Sequence, residues 1–234
     1  MGFSINIEDV PGESISKGVI KRVLLKPENT GRGPPGELTV THYIISDGGT
    51  LILDRPKVEY QDFIISGSAL LGGSYIHANS TIFVPTDRIH NYTQAGEAEL
   101  RIISTTYSTT KPSHRWAKVR RGLLGDSTDK QLMTEEYHAL IGAQRFHALD
   151  IQTYEKEEHT NPEETAYFLR GTGEVLTGTI WHKVKPGSLV YSEEGEIHAI
   201  KNTTENSNPF QYYVMEYAEQ EKMWSQRSYV KEKK

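Results

Sequence analysis

The chain has 234 residues, 36% of them hydrophobic, a formal net charge of -5 and no cysteine. That length suits one or two domains, the modest negative charge argues against non-specific nucleic-acid binding, and the lack of thiols excludes disulfides and leaves only oxygen and nitrogen ligands for any metal. No run reaches the roughly 18 consecutive apolar residues of a membrane-spanning helix, and the start, Met1-Gly2-Phe3-Ser4, has neither the basic residues nor the apolar stretch of a secretion signal, so the expected setting is cytoplasmic with no membrane contact. Residues 1–36 read as an N-terminal extension punctuated by Pro11-Gly12 and by a Gly/Pro-rich stretch ending at Gly36, with one leading strand over Gly18–Leu25 that could pair with the other barrel.

From residue 37 to 107, short apolar runs rich in β-branched and aromatic residues recur between turn residues: Tyr43–Ile45, Thr50–Leu53, Phe63–Ile65, Thr81–Val84 and Leu100–Ile103. This rhythm predicts an all-β unit. Asp47-Gly48-Gly49 and Leu71-Gly72-Gly73 are hairpin signals. Residues 108–142 read as a linker; its basic run, Lys118-Val119-Arg120-Arg121, is a solvated segment, and its end, Thr134–Ile141, reads as a short helix with Thr134 as N-cap. Residues 143–220 repeat the strand rhythm with Ala166–Leu169, Gly173–Leu176, Thr179–Trp181, Ser188–Tyr191 and Gln211–Met215, with Gly178 at a hairpin. Residues 221–234 form a polar tail.

The second half carries the residues with chemistry. Glu157 and His159 stand two apart on a predicted strand and so share a face; Glu164 follows, then a Pro186-Gly187 turn, then His198. Carboxylates and neutral imidazoles are ligands for a divalent first-row ion. Glu163 replaces Glu164 if the register slips by one, and His182, in a predicted strand, reads as structural. On the closing strand, Tyr212, Tyr213, Glu216 and Tyr217 alternate, and Tyr213, Glu216 and Tyr167 are the candidate catalytic groups, since a phenol can donate a proton or hydrogen bond and a carboxylate can hold a cationic group.

The segments Glu157–Gly171 and Pro186–Asn202 resemble the two motifs of the cupin superfamily, in which a His-x-His pair, a Glu and a later His hold a metal inside a jelly-roll barrel. Here Glu157 stands at the first His position, and His159, Glu164 and His198 fill the others. Tyr60–Gly67 and Val84–Asn91 form a degenerate earlier copy in which Tyr60 replaces the carboxylate, Arg55 stands where a His would be, and His90 alone remains. The resemblance therefore implies two tandem cupin barrels, the first without a metal and serving architecture, substrate access or the interface of a homo-oligomer, the second binding an ion through Glu157, His159, Glu164 and His198. A mixed oxygen and nitrogen set suits Mn(II) first and Fe(II) next.

The layout is similar to the ureidoglycine aminohydrolase family, which binds Mn(II) in its C-terminal barrel and releases ammonia from a ureido-amine. Glu157 and His159 match that family's opening pair; Glu163 stands where it has a His, His198 where it has a Gln, and Met215-Glu216 where it has Tyr-Lys. The implied activity is that of a metal-dependent hydrolase or lyase acting on a small polar metabolite. A metal-dependent oxygenase and a non-catalytic small-molecule-binding cupin are the alternatives.

Overall fold

The computed structural model describes residues 2–31, 36–108, 163–203 and 210–215 with their side chains, and the strand backbones at 118–121, 130–133, 140–141, 144–149, 154–157 and 216–219. Among these residues the chain is almost entirely β, and no helix is long and apolar enough to cross a membrane. In chain order the strands are β1 (Phe3–Asn6), β2 (Glu13–Ser16), β3 (Val19–Leu25), β4 (Leu38–Ile45), β5 (Thr50–Leu53), β6 (Val58–Ser66), β7 (Ser68–Leu71), β8 (Ser74–His77), β9 (Ser80–Val84), β10 (His90–Gln94), β11 (Leu100–Ser108) and β12 (Lys118–Arg121). They continue as β13 (Lys130–Met133), β14 (Leu140–Ile141), β15 (Gln144–Leu149), β16 (Tyr154–Glu157), β17 (Glu163–Arg170), β18 (Gly173–Thr177), β19 (Ile180–Val184), β20 (Ser188–Ser192), β21 (His198–Asn202) and β22 (Phe210–Glu219).

The strands fall into two compact units, one of Asp9–Leu123 and one of Met1–Glu8 with Leu124–Lys234. In the first, a large sheet in the order β12-β9-β6-β11-β4-β3-β2 packs with a small sheet β5-β10-β7-β8. Tyr43, Ile45, Leu51, Tyr60, Ile64, Ile82, Tyr92 and Ile102 fill the space between them. These residues recur at every second position of their strands, the period at which side chains return to one face. The second unit repeats the plan, with β1-β20-β17-β22-β15-β13 on one side and β16-β21-β18-β19 on the other. Ala166, Phe168, Val175, Val184, Val190, Ile200, Phe210, Tyr212 and Val214 make its core. Facing sheets with alternate residues turned inward are a jelly-roll solution to burying apolar strand faces.

Local turn chemistry accounts for the hairpins. Gly72 and Gly73 have φ of 55° and 82°, the left-handed pair that a two-residue hairpin demands, and they join β7 to β8. At Pro186-Gly187, Ser188 N donates to Lys185 O at 2.9 Å and Gly187 has φ of 87°, a turn with proline and glycine each at its favoured position. Asp47-Gly48 also turns with positive φ, but the strands it joins, β4 and β5, belong to different sheets, so it passes the chain across the barrel and is not a hairpin.

The leading strand departs from expectation. β3 pairs with β4 of its own unit, Val19 across from Ile45, while the extreme N-terminus supplies β1 to the C-terminal barrel, Phe3 across from Tyr191. β1 covers the β20 edge and is held there by Asn6, whose Nδ2 donates to Ser188 Oγ at 3.0 Å. Of the helix expected at Thr134–Ile141, residues 134–139 lie outside the described residues, and Leu140–Ile141 form β14 on β22. The tail from 221 also lies outside them.

Candidate functional site

Inside the C-terminal barrel the polar residues gather at one end. The core positions on the large sheet are Phe168 and Ala166 on β17, Val190 on β20 and Tyr212 and Val214 on β22. Alternation places Glu164, Ser192 and Glu216 on that same row of positions, and they are register partners: Glu164 stands across from Ser192 on one side and from Glu216 on the other. On the small sheet, Val175 and Ile200 are core, so Thr177 and His198, which pair with each other, share their face, as does His182 next to Val184. The opposite end is closed by aromatic packing: Phe168 stacks on Phe210 at 5.1 Å, and Gly173 lies so close to the Phe210 ring and Lys201 O that a side chain there has no room. Glu164 and His198 therefore belong to the end away from the Phe210 plug.

His198 is held in one orientation. Its Nδ1 lies 3.1 Å from the carbonyl oxygen of Glu196, which can only accept, so Nδ1 donates this bond and Nε2 is the ring nitrogen left to face elsewhere. This is the arrangement in which a backbone carbonyl fixes the tautomer of a metal-binding imidazole. Glu196 is itself anchored: its carboxylate accepts from Gly2 N at 3.0 and 2.9 Å and from Glu193 N at 3.0 Å. The N-terminal strand thus steadies the loop that positions His198.

The adjacent acidic residues separate by face. Glu163 is buried and its Oε1 accepts from the Tyr191 hydroxyl, on the side of β17 away from the core cluster; Glu164, half-buried, is on the inner row. Glu157 is the register partner of His198 across β16 and β21. His159 lies outside the described residues. Among the described residues no three of His, Cys, Asp and Glu converge as a metal cluster; Glu164 and His198 are the two of the four expected ligands whose side chains are described.

Of the three candidate catalytic groups, Glu216 occupies an inner-row position. Tyr167 and Tyr213 do not: they pair with each other on the other face, both buried, since Ala166 and Val214 beside them take the inward positions. Strand periodicity forces this division, because a tyrosine next to an inward residue must point outward. His182, read from sequence as structural, is on the inner face, 3.0 Å from Thr177 Oγ1 through Nε2. Its alternation with Val184 was the signal for that placement. Ser192, across from Glu164, is a further inner polar group that motif spacing alone does not disclose.

A family model described as Cupin domain matches residues 149–215. No curated protein matches the chain by sequence. Among solved structures, the protein Ylba from E. coli is 14% identical with a TM-score of 0.69, over 94% of this chain and 91% of that one. The bacterial pirin YhhW from Escherichia coli, in complex with nickel(II), is 8% identical with a TM-score of 0.68, over 92% and 98%. A single-substitution variant of oxalate decarboxylase from Bacillus subtilis is 10% identical with a TM-score of 0.67, over 92% and 77%. Likeness at these identities establishes architecture: the chain has the fold of two tandem cupin barrels.

Proposed function

We propose that the chain is a metal-dependent enzyme acting on a small polar metabolite from the C-terminal cupin barrel, as a hydrolase or lyase of the ureidoglycine aminohydrolase type. The observation that carries this reading is His198, turned to the inner face with its tautomer fixed by Glu196 O and with Glu157 directly across the ladder. The described residues fit a divalent ion by their chemistry: an imidazole nitrogen from His198 and a half-buried carboxylate from Glu164 on inner faces at the same end of the barrel.

Glu157, His159, Glu164 and His198 would hold the ion, Mn(II) first and Fe(II) next. When bound, such an ion supplies Lewis acidity toward a substrate oxygen. Glu157 and Glu164 would balance the charge of such an ion, which would suit it to polarising a substrate carbonyl or carboxylate. The chain's own residues supply the rest. Glu216, next to Glu164 in register, is the group that attracts a cationic end of the substrate or moves its proton; Thr177, His182 and Ser192 orient it through hydrogen bonds. The stacked Phe168 and Phe210 rings form the apolar packing at the other end. Buried on the opposite face, Tyr167 and Tyr213 are assigned to packing.

Elemental analysis of the purified chain tests the reading, with one divalent transition ion per chain expected and loss of that ion in His159→Ala. Unchanged metal content in that variant removes the assignment. Oxygen uptake with the substrate would transfer the site from hydrolase or lyase to oxygenase.

A further inference from the structure

Asp47-Gly48, in the turn from β4 to β5, is the one Asp-Gly or Asn-Gly step in the sequence. An aspartate followed by glycine is open to rearrangement of the main chain, because no side chain on the second residue crowds the approach of its nitrogen to the carboxyl group before it. Both residues are exposed, and a Cβ built on Gly48 would meet nothing within 4 Å, so burial does not shield the step. Asp47 has φ of 54° and Gly48 of 68°, and for the aspartate this left-handed backbone is sparsely populated. The Ser46 hydroxyl lies 3.4 Å from Asp47 Oδ2, too far to hold the carboxyl group in place.

The nitrogen of the step, in contrast, is held. Gly48 N donates to Gln94 Oε1 at 2.7 Å, and the Gln94 amide is itself locked, its Nε2 donating to Gly96 O at 2.7 Å and to Ala98 O at 2.9 Å. Gln94 N donates in turn to Gly49 O at 3.0 Å, so one residue of β10 grips the turn through both its backbone and its side chain. Water satisfies an exposed N–H at little cost, and folding gains little from the Gly48 bond. Its chemical effect is larger, since it occupies the N–H that rearrangement must give up.

We propose that Asp47 is a site of isoaspartate formation and that the Gln94 side chain keeps this site closed in the folded chain. In the step that Gln94 opposes, Gly48 N attacks Cγ of the protonated Asp47 carboxyl group. The N–Cγ bond forms, the carboxyl OH leaves as water with the Gly48 amide proton, and a cyclic imide remains. Water then opens the ring: cleavage of N–Cγ restores aspartate, whereas cleavage between Gly48 N and the Asp47 main-chain carbonyl carbon leaves the chain running through the former side chain. The Gln94 bond must break before the attack, so its net worth adds to the barrier. The product inserts a methylene into the main chain just before β5, whose ladder with β10 sets Leu53 across from His90. The site belongs to the N-terminal unit and does not depend on the reading of the C-terminal barrel.

The test is ageing of the full chain in near-neutral buffer well below its melting temperature. Isoaspartate is counted by carboxyl methylation with a protein isoaspartate methyltransferase and located by peptide mapping; Asp47→Glu, which removes the aspartate, identifies the signal of this turn. Isoaspartate at Asp47 is expected to form slowly in the folded wild type and faster in the guanidinium-denatured chain. In folded Gln94→Ala it should form about fivefold or more faster than in wild type, with other aspartates and asparagines unchanged. If Gln94→Ala does not fold, Gln94→Asn, one methylene shorter, should show the same acceleration. A folded position-94 variant that ages at the wild-type rate, a rise spread equally over other sites, or a wild type that ages as fast folded as denatured overturns the proposal.

Discussion

Glu157 and His198, far apart in the chain, are register partners on β16 and β21, so the antiparallel ladder fixes their separation before any ion is present. Residues directly opposite in such a ladder are close neighbours on one face of the sheet. The expected consequence is that metal binding depends on the ladder end and not on His90 of the other barrel. His198→Ala should reduce metal content from one ion per chain to near zero, Glu164→Gln should weaken retention against a chelator, and His90→Ala should leave the content unchanged. Metal retained in His198→Ala would show that this strand holds no ligand.

Glu196 provides a separate prediction, because it would act on a bound ion only through His198. Its carbonyl accepts a hydrogen bond from His198 Nδ1, and its carboxylate accepts from the backbone N–H of Gly2 and Glu193. Glu196→Ala keeps the carbonyl but frees the loop. Outer partners of metal-binding histidines typically change affinity by about 10 to 100 fold. A fall in metal affinity of that size, measured by competition with a chelator, is expected, together with the same fall on deletion of residues 1–6. A merely structural Glu196 would lower the melting temperature and leave the affinity of the folded protein as it was.

Much of the fold was legible because its signals are local. The Gly72-Gly73 and Gly178 hairpins follow from positions that need positive φ, and the strands follow from apolar runs of the right length. Partners were not legible. Asp47-Gly48 announces a reversal but not that the two strands enter different sheets, and nothing near Phe3 or Val19 says which edge each will cover. In the site, the choice between Glu163 and Glu164 is one residue of register, and burial of Glu163 against Tyr191 on the other face favours Glu164. The pairing of His90 with Asp62 escaped motif reading because Asp62, on β6, stands outside the family pattern of which His90, on β10, is the remaining member.

Stability should decline in mild acid, and His42 is a definite contributor. It is fully buried on β4, and desolvation, with Arg101 and Arg22 adding repulsion, lowers its pKa to about 4. Above the unfolded value near 6.5 the ring is neutral in both states and nothing is lost. As pH falls from there toward 4, the unfolded chain takes up the proton and the folded chain resists it, so unfolding gains up to about 3 kcal/mol from this residue and no more below that range. Urea denaturation of wild type and His42→Asn across this interval should show a shallower decline in the variant. Parallel curves would assign the acid sensitivity to other groups.

Glu216 is the residue on which the proposed chemistry turns. It pairs in register with Glu164 on β17, at a position of the same parity as the core residues Tyr212 and Val214. Under the proposed function, this carboxylate would meet an end of the substrate that is cationic or must give up a proton. Glu216→Gln keeps the shape and removes the charge. Metal content is expected to stay at one ion per chain, because Glu216 is not among the four proposed ligands. If the carboxylate binds a cationic group, KM should rise with kcat nearly constant; if it moves a proton in the transition state, kcat should fall by about 100-fold or more and the limb of the pH profile that belongs to it should vanish. Unchanged kinetics together with unchanged metal content would reduce Glu216 to a strand residue and shift the acid–base role to an inner-face group outside the proposed ligands, such as His182.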